Sequence, residues 1–484
     1  MVTGVGLSGQ AAARWLHSQG ADVCCSDMKP FEQWPPEMKQ WCRENSVQIE
    51  AGDQSPGTCI SSDLVVTSPG IPPDIPALAA ARDAGVPVVG ELALAATLWA
   101  GPLYGITGTN GKTTTTELVS AILNESEISH VTAGNTGTPL SGLLHRGDTA
   151  IPAVLEVSSF QADCIPSAAC GLVTTPGFAA VAWLNLAPDH LDRYRDLSEY
   201  GASKARLFGF LDRDGWAVIN RDDPGLASWT NRIPGKKLFF GTAGNGGEPG
   251  AWIDRAAGII SVQWPDGRYE DYSLTGWSLK GNHNLENLAC AILISRLAGA
   301  LEDAVRSVVN TFRAPAHRLE WIGAHGGVDY YDDSKATNVS SVLRAVESIS
   351  QPLVLIAGGL GKGESYLPLG KKLRRRNLEE NRQVRGLVAI GREATTLERE
   401  LGNIIPVIRI KGTSDGRSIM VRAVLAAASM AEPGDAVLLS PACASFDLFR
   451  DYAHRGDSFR GAVMDMMAGN VQAQEDASAA SYGS

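Results

Sequence analysis

One short segment, GTNGKTT at positions 108–114, combines the residue types that proteins use to hold a chain of phosphates. Its glycines let the backbone wrap around a phosphate, and N–H groups at the start of a helix carry partial positive charge. Lys112 can neutralise the β- and γ-phosphates of a nucleotide, and the Thr113 hydroxyl can reach Mg²⁺. The alternative is a glycine-rich turn with an incidental lysine, which the flanking strand (Leu103–Ile106) and helix (Thr114–Asn124) disfavour. The predicted phosphate contacts are Gly108, Thr109, Asn110, Gly111, Lys112, Thr113 and Thr114.

A second glycine pattern, Gly4-x-Gly6-x-x-Gly9, stands between a short strand and a helix, and Asp27 ends the next strand. This spacing is that of a dinucleotide-binding turn, in which the acidic residue binds a ribose. It is also consistent with a phosphate-binding turn, or merely a tight turn, in a Rossmann-like domain. The interpretation as an NAD-dependent oxidoreductase is therefore still possible at this point, although it would leave the whole 105–205 region without a role.

Three further polar residues lie in or after stretches that are predicted to be strands or helices. Glu156 lies at the end of a strand, where ligands bind in open α/β sheets. His190 follows the strand Val181–Asn185 and is a possible metal ligand, although a single loop histidine is more often structural. Lys204 lies in a helical stretch, where a lysine by default faces solvent. None of these three residues indicates a function by itself.

The elements that must position these residues alternate between strand and helix along almost the whole chain, which is typical of parallel α/β layers. A length of 484 residues predicts two to four domains. We predict an α/β protein in which a proline-containing linker, Arg313–Ala316, separates the last domain. The predicted parts are a Rossmann-like N-terminal domain (1–92), a central α/β domain of the P-loop ATPase type (93–313), a Rossmann-like C-terminal domain (314–469) and a disordered tail (470–484).

Local patterns add three predictions. Residues 237–274 alternate with glycine-rich turns and predict short β-hairpins. The segment Asp332–Lys335 is predicted to open a helix after a strand. The basic stretch Lys371–Arg376 is predicted to be a solvated helix face balanced by Glu379 and Glu380, rather than a nucleic-acid contact.

The composition and charge of the chain argue against some classes of binding partner. The chain has 42 Lys and Arg against 53 Asp and Glu, a net charge of −11, which argues against a dominant nucleic-acid or anionic-membrane partner. It contains no apolar run of the ~18–20 residues that span a bilayer and no basic-then-apolar signal segment. Its eight cysteines are scattered, which indicates reduced thiols. We expect a cytoplasmic monomer with neither nucleic acid nor membrane as partner.

Seven segments, taken together, resemble the Mur ligase family of peptidoglycan precursor synthesis. Their order and spacing carry the resemblance from residue 1 to about residue 468. The DDSKATN and SPACASFD segments are most similar to those of the family members that add D-glutamate. The seven segments are GITGTNGKTTT from Gly105, LEVSSFQ from Leu155, NLAPDHLDRY from Asn185, GNHNLENLACA from Gly281, HRLE from His317, DDSKATN from Asp332 and LLSPACASFDLFRDYAHRGDSF from Leu438.

The resemblance implies a ligase that uses ATP to phosphorylate the carboxylate of UDP-N-acetylmuramoyl-L-alanine, and then joins the acyl phosphate to the amine of D-glutamate. Its catalytic residues would be Lys112, Glu156, His190 and Lys204. Thr113 and Glu156 would hold one Mg²⁺, and His190 and Lys204 a second. Because Mg²⁺ prefers oxygen donors, an amine is a poor ligand. The family resolves this by carbamylating the lysine with CO₂, which we expect at Lys204.

The resemblance also implies ligand contacts in each domain. Asn284 or Asn287 would face the adenine of ATP, and Arg318 its phosphates or ribose. The residues implied for the UDP-sugar substrate are Ser8, Asp27, Lys29, Ser68 and Asn135. The residues implied for D-glutamate are Lys335, Thr337, Lys362, Ser445 and, through its backbone, Phe446.

Other interpretations share the phosphate loop. They are a different Mur ligase, a folylpolyglutamate synthase and a non-catalytic ATP-binding switch. The third domain lacks the Asp-Asn-Pro-Arg type of segment that recognises diaminopimelate, which counts against the next ligase of the pathway. A switch gives no reason for the pair His190 and Lys204. ATP-dependent phosphate release with UDP-N-acetylmuramoyl-L-alanine separates these cases, if D-glutamate is compared with L-glutamate, L-alanine and L-lysine.

Overall fold

A computed structural model describes residues 1–147, 149–165, 177–242, 247–313, 316–378, 383–412 and 415–469. The predicted tail at 470–484, Glu379, Glu380 and the centre of the predicted linker lie outside the described residues. The chain forms two compact units. The first unit comprises Met1–Leu186, Ser198–Trp277 and Leu285–Phe312, and the second comprises Ala187–Leu197, Ser278–Asn284 and Arg313–Ser484.

The first sheet, in the first unit, is parallel, with strand order β3-β2-β1-β4-β5. Its first strand is central, so the glycine turn that follows lies where the strand order reverses, which is the ligand-binding position of open α/β sheets. A 3₁₀ turn covers Phe31–Gln33. The elements are β1 (Val2–Thr3), α1 (Leu7–Ser18), β2 (Cys24–Asp27), α2 (Pro36–Glu44), β3 (Gln48–Ala51), α3 (Pro56–Ile60), β4 (Val65–Thr67), α4 (Pro76–Asp83), β5 (Val88–Gly90) and α5 (Glu91–Thr97).

The second sheet, also in the first unit, has nine strands in the order β14-β13-β12-β11-β10-β9-β6-β8-β7. Its buried face packs on α6 and α10 through residues such as Ile106, Leu118 and Ile292. Short 3₁₀ turns cover Leu144–Arg146 and Arg206–Phe210. The elements are β6 (Leu103–Thr107), α6 (Lys112–Glu125), β7 (Val131–Gly134), α7 (Leu140–Leu143), β8 (Ala153–Glu156), α8 (Ser159–Asp163), β9 (Phe178–Trp183), α9 (Leu197–Ala205), β10 (Leu211–Asn220), β11 (Lys236–Gly241), β12 (Gly250–Asp254), β13 (Ile259–Gln263), β14 (Tyr269–Ser273), α10 (Asn282–Leu297) and α11 (Glu302–Thr311).

The prediction of hairpins over 237–274 is partly wrong. Strand β11 pairs with β12 in parallel, and antiparallel pairing begins only between β12 and β13. Burial explains the difference. The last four residues of β11 are buried on both faces, as in parallel sheets, whereas β14 alternates between exposed and buried residues, as in a sheet with one solvated face.

The third sheet, in the second unit, has the order β15-β16-β20-β17-β18-β19 and is parallel apart from β15. Because β16, β20 and β17 are neighbours, the loops that follow them meet at one edge of the sheet. The elements are β15 (Glu320–His325), β16 (Val328–Asp332), α12 (Val339–Ser348), β17 (Leu353–Gly358), α13 (Leu367–Leu378), β18 (Val384–Ile390), α14 (Ala394–Leu401), β19 (Val407–Arg409), α15 (Gly416–Met430), β20 (Ala436–Leu439) and α16 (Tyr452–Met467).

The helix predicted at Asp332–Lys335 does not begin there. Asp332 belongs to β16, and its Oδ1 accepts the backbone N–H of Ser334 at 2.9 Å. This local bond stabilises a turn instead of a helix. The helix starts at Val339, where Asn338 caps it by accepting the N–H of Ser341 at 2.8 Å.

The basic stretch Lys371–Arg376 is only partly a solvated face. Arg376 is fully buried, and its guanidinium donates to the carbonyl oxygens of Val346 and Ile349, both at 2.7 Å. A helix of this length turns one face inward, and carbonyl oxygens at the C-terminal end of α12 meet that face. Among the described residues, no helix is long and apolar enough to cross a membrane.

Candidate active site

The phosphate loop lies between the end of β6 and the start of α6, as predicted. Gly111 takes the left-handed conformation (φ +87°) that lets the chain turn into the helix. The Lys112 side chain bends back over the loop, and its Nζ donates to the carbonyl oxygens of Gly108 (2.8 Å) and Thr109 (3.0 Å). Because Ile106 lies inside β6, the phosphate-binding turn begins only at Gly108, two residues later than in the strict P-loop spacing.

Asn185, which sequence reasoning left without a role, fixes this loop. Its side chain accepts the backbone N–H of Asn110 at 2.8 Å and donates to the Asn110 carbonyl at 2.9 Å. Its carbonyl accepts the N–H of Thr109 at 3.0 Å. Asn185 follows β9, which pairs directly with β6. An asparagine placed after the neighbouring strand is the sequence signal that could have identified this role.

Glu156 and Thr113 meet beside the loop. Glu156 is 3% exposed, and its Oε2 accepts the Thr113 hydroxyl at 2.7 Å. Its Oε1 accepts the side-chain amide of Asn135 at 2.9 Å. Two side-chain oxygens therefore lie together at the ends of neighbouring elements. Oxygen is the donor type that Mg²⁺ prefers. Asn135, predicted to contact the UDP-sugar, lies against this pair.

Lys204 is buried rather than facing solvent. It is 1% exposed, and its Nζ donates to the carbonyl of Gly108 at 3.0 Å, the same oxygen that accepts from Lys112. The ammonium also lies 4.5 Å from the centre of the Tyr200 ring. The structure thus brings Lys204, Lys112, Thr113 and Glu156 together around one loop.

The two candidate adenine residues differ in position. Asn287, on α10, lies against the phosphate loop, because a Cβ added at Gly111 would come within 2.3 Å of its Oδ1. Asn284 belongs to the second unit, is 8% exposed, and donates to the carbonyl of Lys280 at 2.7 Å. Thr114 and Thr109 are buried within the loop and the first turn of α6.

The edge of the first sheet holds the residues predicted for the uridine diphosphate. The Asp27 carboxylate accepts the backbone N–H groups of Val5 and Lys29, both at 2.9 Å. Ser68 donates to the carbonyl of Gly4 at 2.9 Å. These bonds hold the glycine turn in place. Ser8 is half-buried and the Lys29 side chain is exposed on the same edge.

The residues predicted for D-glutamate come from three loops at one edge of the third sheet. Lys335 and Thr337 are half-buried in the turn after β16. The Lys335 ammonium lies 3.6 Å from the centre of the Tyr452 ring. In the loop after β20, Ser445 is 2% exposed, and the adjacent Phe446 side chain is exposed.

Lys362, in the loop after β17, pairs with a carboxylate of the protein. Its Nζ lies 3.1 Å from Asp189 Oδ1, and Asn338 donates to Asp189 Oδ2 at 3.0 Å. Burial by itself would raise the pKa of Asp189. The Lys362 ammonium, together with His190 and the Asn338 amide, outweighs burial, so the pKa of Asp189 is lowered and it remains an anion at neutral pH. The sequence singled out His190 but not Asp189.

His190 is next to this pair, in the second unit. Its backbone has φ +55°, and its Nε2 lies 3.7 Å from Asp189 Oδ2. Its side chain is 30% exposed. Lys204 belongs to the first unit, so the two residues predicted to share a metal are not brought together within one unit.

Arg318, predicted to bind ATP, lies beside a buried His–Asp pair. His317 Nδ1 lies 2.7 Å from Asp332 Oδ2. The hydrogen bond to Asp332 raises the pKa of His317. Asp333, which accepts the backbone N–H of Leu319 at 3.2 Å, has its pKa raised to about 7 by burial.

Comparison with known proteins gives the family. A model of the Mur ligase middle domain matches residues 106–295, and a model of the Mur ligase MurD-like N-terminal domain matches residues 1–90. The chain belongs to the Mur ligase family. A UDP-N-acetylmuramoylalanine--D-glutamate ligase from Geotalea daltonii is 36% identical over 472 residues, covering 98% of each chain. The ligase of the same name from Anaeromyxobacter dehalogenans is 40% identical over 472 residues, covering 95% of this chain and 96% of the relative.

Solved structures share the fold at low identity. MurF from Acinetobacter baumannii aligns with a TM-score of 0.59 at 15% identity, covering 96% of this chain and 93% of that chain. A pseudomurein peptide ligase type C from Methanothermus fervidus aligns with a TM-score of 0.58 at 17% identity, covering 96% and 99%. The predicted family and the α/β fold class are thus confirmed. The glycine pattern at Gly4 belongs to a Mur ligase N-terminal domain, not to an NAD-dependent oxidoreductase.

Proposed function

We propose that this chain is an ATP-dependent ligase that joins D-glutamate to UDP-N-acetylmuramoyl-L-alanine in peptidoglycan precursor synthesis. The observation that carries the proposal is the phosphate loop itself, with Lys112 folded over it and the Thr113–Glu156 oxygen pair, 2.7 Å apart, beside it. Full-length similarity to relatives that carry this ligase name supports the choice of substrates.

The first step brings two anions together. A carboxylate oxygen of UDP-N-acetylmuramoyl-L-alanine forms a bond to the γ-phosphorus of ATP, and the bond to the β–γ bridging oxygen breaks, releasing ADP. Lys112 supplies positive charge at this point, and the loop N–H groups at the start of α6 add partial positive charge. In the second step the amine of D-glutamate attacks the acyl carbon, phosphate leaves with the electron pair, and the amine loses a proton.

The residues beside the loop fit a magnesium ion. Thr113 and Glu156 present a hydroxyl and a buried carboxylate at 2.7 Å from each other, which are hard oxygen donors. These residues would hold Mg²⁺, which when bound would offset charge on the nucleotide phosphates. The family resemblance alone assigns a second Mg²⁺ to His190 and a carbamylated Lys204.

A carbamate on Lys204 is part of the proposal. Its formation joins the neutral amine to the carbon of CO₂ with loss of one proton, and replaces a nitrogen by two oxygen donors. Burial of Lys204 at the loop, 3.0 Å from the Gly108 carbonyl, supports it, because that position is closed to bulk water but adjacent to the proposed ATP phosphates.

Recognition of D-glutamate would fall to the second unit. Its two carboxylates require cationic and hydroxyl partners, because a buried unpaired charge is costly. Lys335, Lys362 and Ser445 supply such groups on loops that meet at one edge of the third sheet. The UDP-sugar, in turn, would be bound by Asn135, Asp27 and the edge of the first sheet.

The direct test measures ADP release with UDP-N-acetylmuramoyl-L-alanine and each candidate amino acid. We expect turnover with D-glutamate and background rates with L-glutamate, L-alanine and L-lysine. The variant Lys112→Ala should lose about 10²-fold or more. The matched control is Lys236→Ala, which removes a half-exposed lysine paired with Asp214 in the same unit and should keep full activity. Turnover with another amino acid, but not with D-glutamate, would overturn the proposal.

The carbamate has its own test. In buffer equilibrated with ¹³CO₂, the wild-type protein should give a carbamate carbon resonance that is missing in Lys204→Ala. The variant should be nearly inactive and regain part of its activity with acetate. Full activity in CO₂-depleted buffer, with no such resonance, would contradict the carbamate and leave the ligase assignment standing.

A further inference from the structure

One buried arginine joins two of the loops assigned to D-glutamate. Arg455, on α16, is 1% exposed. Its Nε donates to the hydroxyl of Ser334 at 3.0 Å, and its Nη2 to the Ser334 carbonyl at 2.8 Å. Its Nη1 donates to the carbonyl of Cys443 at 3.0 Å. Ser334 directly precedes Lys335, and Cys443 lies two residues before Ser445.

The surroundings hold this guanidinium in a fixed position. The Ser334 hydroxyl in turn donates to the carbonyl of Tyr452 at 2.8 Å, at the start of α16. On another side lies Gly359, at the start of the loop after β17, where an added Cβ would come within 3.3 Å of Arg455 Nη1 and 2.3 Å of the Ala444 carbonyl. Arg455 therefore lies where the loops after β16, β17 and β20 converge.

The charge of Arg455 is unusual for its position. Its three hydrogen-bond acceptors, a hydroxyl and two carbonyl oxygens, are neutral groups, and the carboxylates of Asp332, Asp333 and Asp447 favour its charge only from a distance. Burial lowers the pKa of Arg455 to about 10, which still leaves the guanidinium charged at neutral pH. A buried cation costs free energy on folding, and a hydrophobic side chain of similar volume is often tolerated better. An arginine also offers five donors in a rigid fork, which neither a hydrophobic side chain nor a lysine provides, and this suits it to hold two backbone segments at once.

We propose that Arg455 is a positioning residue for the amino-acid substrate. It holds the turn after β16 and the loop after β20 at the separation that lets Lys335, Thr337 and Ser445 bind two carboxylates at once. The proposal rests on the function proposed above, because it takes D-glutamate as the ligand of those loops. Arg455 itself does not touch the reacting atoms. It acts by fixing the two backbone segments that carry the donors.

The test compares Arg455→Lys and Arg455→Met with the wild type. We expect the KM for D-glutamate to rise by about tenfold or more in Arg455→Met, since hydrogen bonds to charged groups are lost from both loops. Arg455→Lys keeps the charge but can make fewer hydrogen bonds, so its KM for D-glutamate should lie between those of the wild type and Arg455→Met. The KM for ATP and for UDP-N-acetylmuramoyl-L-alanine should stay within about twofold of wild type. Acyl-phosphate formation, trapped by hydroxylamine without D-glutamate, should also be unchanged.

Arg376→Met is the matched control. Arg376 is equally buried in the same unit and also donates to backbone carbonyls, but it contacts residues 346 and 349 instead of the substrate loops. It should lower thermal stability without raising the D-glutamate KM. If Arg455→Met does not fold, Ser334→Ala removes one of the bonds to Arg455, together with the bond to the Tyr452 carbonyl, and should still raise the D-glutamate KM severalfold.

Two results would overturn the positioning role. One is an unchanged D-glutamate KM in Arg455→Lys or Ser334→Ala. The other is an equal loss of hydroxamate formation and D-glutamate turnover, which indicates a general structural defect. The proposed function fails separately, if the wild type uses a different amino acid. In that case a raised KM for that amino acid in Arg455→Lys would retain the positioning role.

Discussion

Replacing Glu156 with glutamine removes one negative charge from the phosphate-loop site while preserving its shape. In the wild type, Glu156 accepts the Thr113 hydroxyl at 2.7 Å and the Asn135 amide at 2.9 Å. In Glu156→Gln, the amide oxygen can still accept from Asn135. The new NH₂ group can donate to Thr113, whose hydroxyl oxygen is also an acceptor. Both hydrogen bonds therefore survive the substitution.

The expected magnitudes separate folding from function. Because both bonds survive and the carboxylate is 3% exposed, the free energy of unfolding should change by less than about 1 kcal/mol. The loss of a charged oxygen donor acts instead on the proposed Mg²⁺ site. Removal of a partner that merely orients a ligand costs about 10–100-fold in metal affinity or activity, so loss of the ligand itself should cost at least as much.

The assay combines thermal unfolding with ADP release over a Mg²⁺ titration. Glu156→Gln should have the same melting temperature as the wild type. It should require far more Mg²⁺ for its half-maximal rate and remain slow at saturating Mg²⁺. Glu37→Gln, at an exposed position on α2, is the charge-matched control and should behave as wild type in both measurements. Wild-type activity of Glu156→Gln at limiting Mg²⁺ would refute the reasoning.

Two further predictions concern stability. Gly9→Ala should destabilise the first sheet by more than ~2 kcal/mol in chemical denaturation, because its Cβ would lie 1.8 Å from the Gly4 carbonyl oxygen. Gly6→Ala is the matched control, since its Cβ meets no atom within 4 Å, and equal destabilisation of both variants would contradict the steric argument. For His317, whose hydrogen bond to Asp332 raises its pKa, the stabilisation should be fully present below the unfolded pKa of about 6.5 and disappear as the pH rises through the folded value. Denaturation from pH 6 to 9 should show this loss in the wild type and not in Asp332→Asn, and an opposite slope would refute it.

The sequence predicts best those parts of the site that are local in the chain. The phosphate loop is one contiguous segment between a strand and a helix, so its glycines and Lys112 identify it without any tertiary information. The strand end that carries Glu156 follows from the alternation of strands and helices, whereas the loops proposed for D-glutamate are implied only by the family resemblance. The helix predicted at Asp332 is a turn in the structure, because a side-chain bond to the N–H of Ser334 competes with helix formation.

Contacts between distant segments are what the sequence could not predict. Asn185 binds the backbone of Asn110 across 75 positions, and Lys362 pairs with Asp189 across 173. The partner in each pair becomes clear only once it is known which strands and loops are neighbours in the sheets, as β6 and β9 are for Asn185. The sequence also does not predict the burial of Arg376, because a basic run is normally solvated and only the packing of α13 on α12 turns one of its residues inward.

The ion pair between Lys362 and Asp189 reduces the electrostatic free energy that an acidic ligand can gain by binding at this lysine. The lysine is 16% exposed and the aspartate 7%, so the two charges already neutralise each other before any ligand arrives. A carboxylate that enters at Lys362 has to displace or share an internal carboxylate. Binding is then an exchange between two similar ion pairs, and the net gain from charge is small. For the proposed substrate D-glutamate, selectivity then depends mainly on how well the ligand fits the loops, because an entering carboxylate gains little charge stabilisation at Lys362.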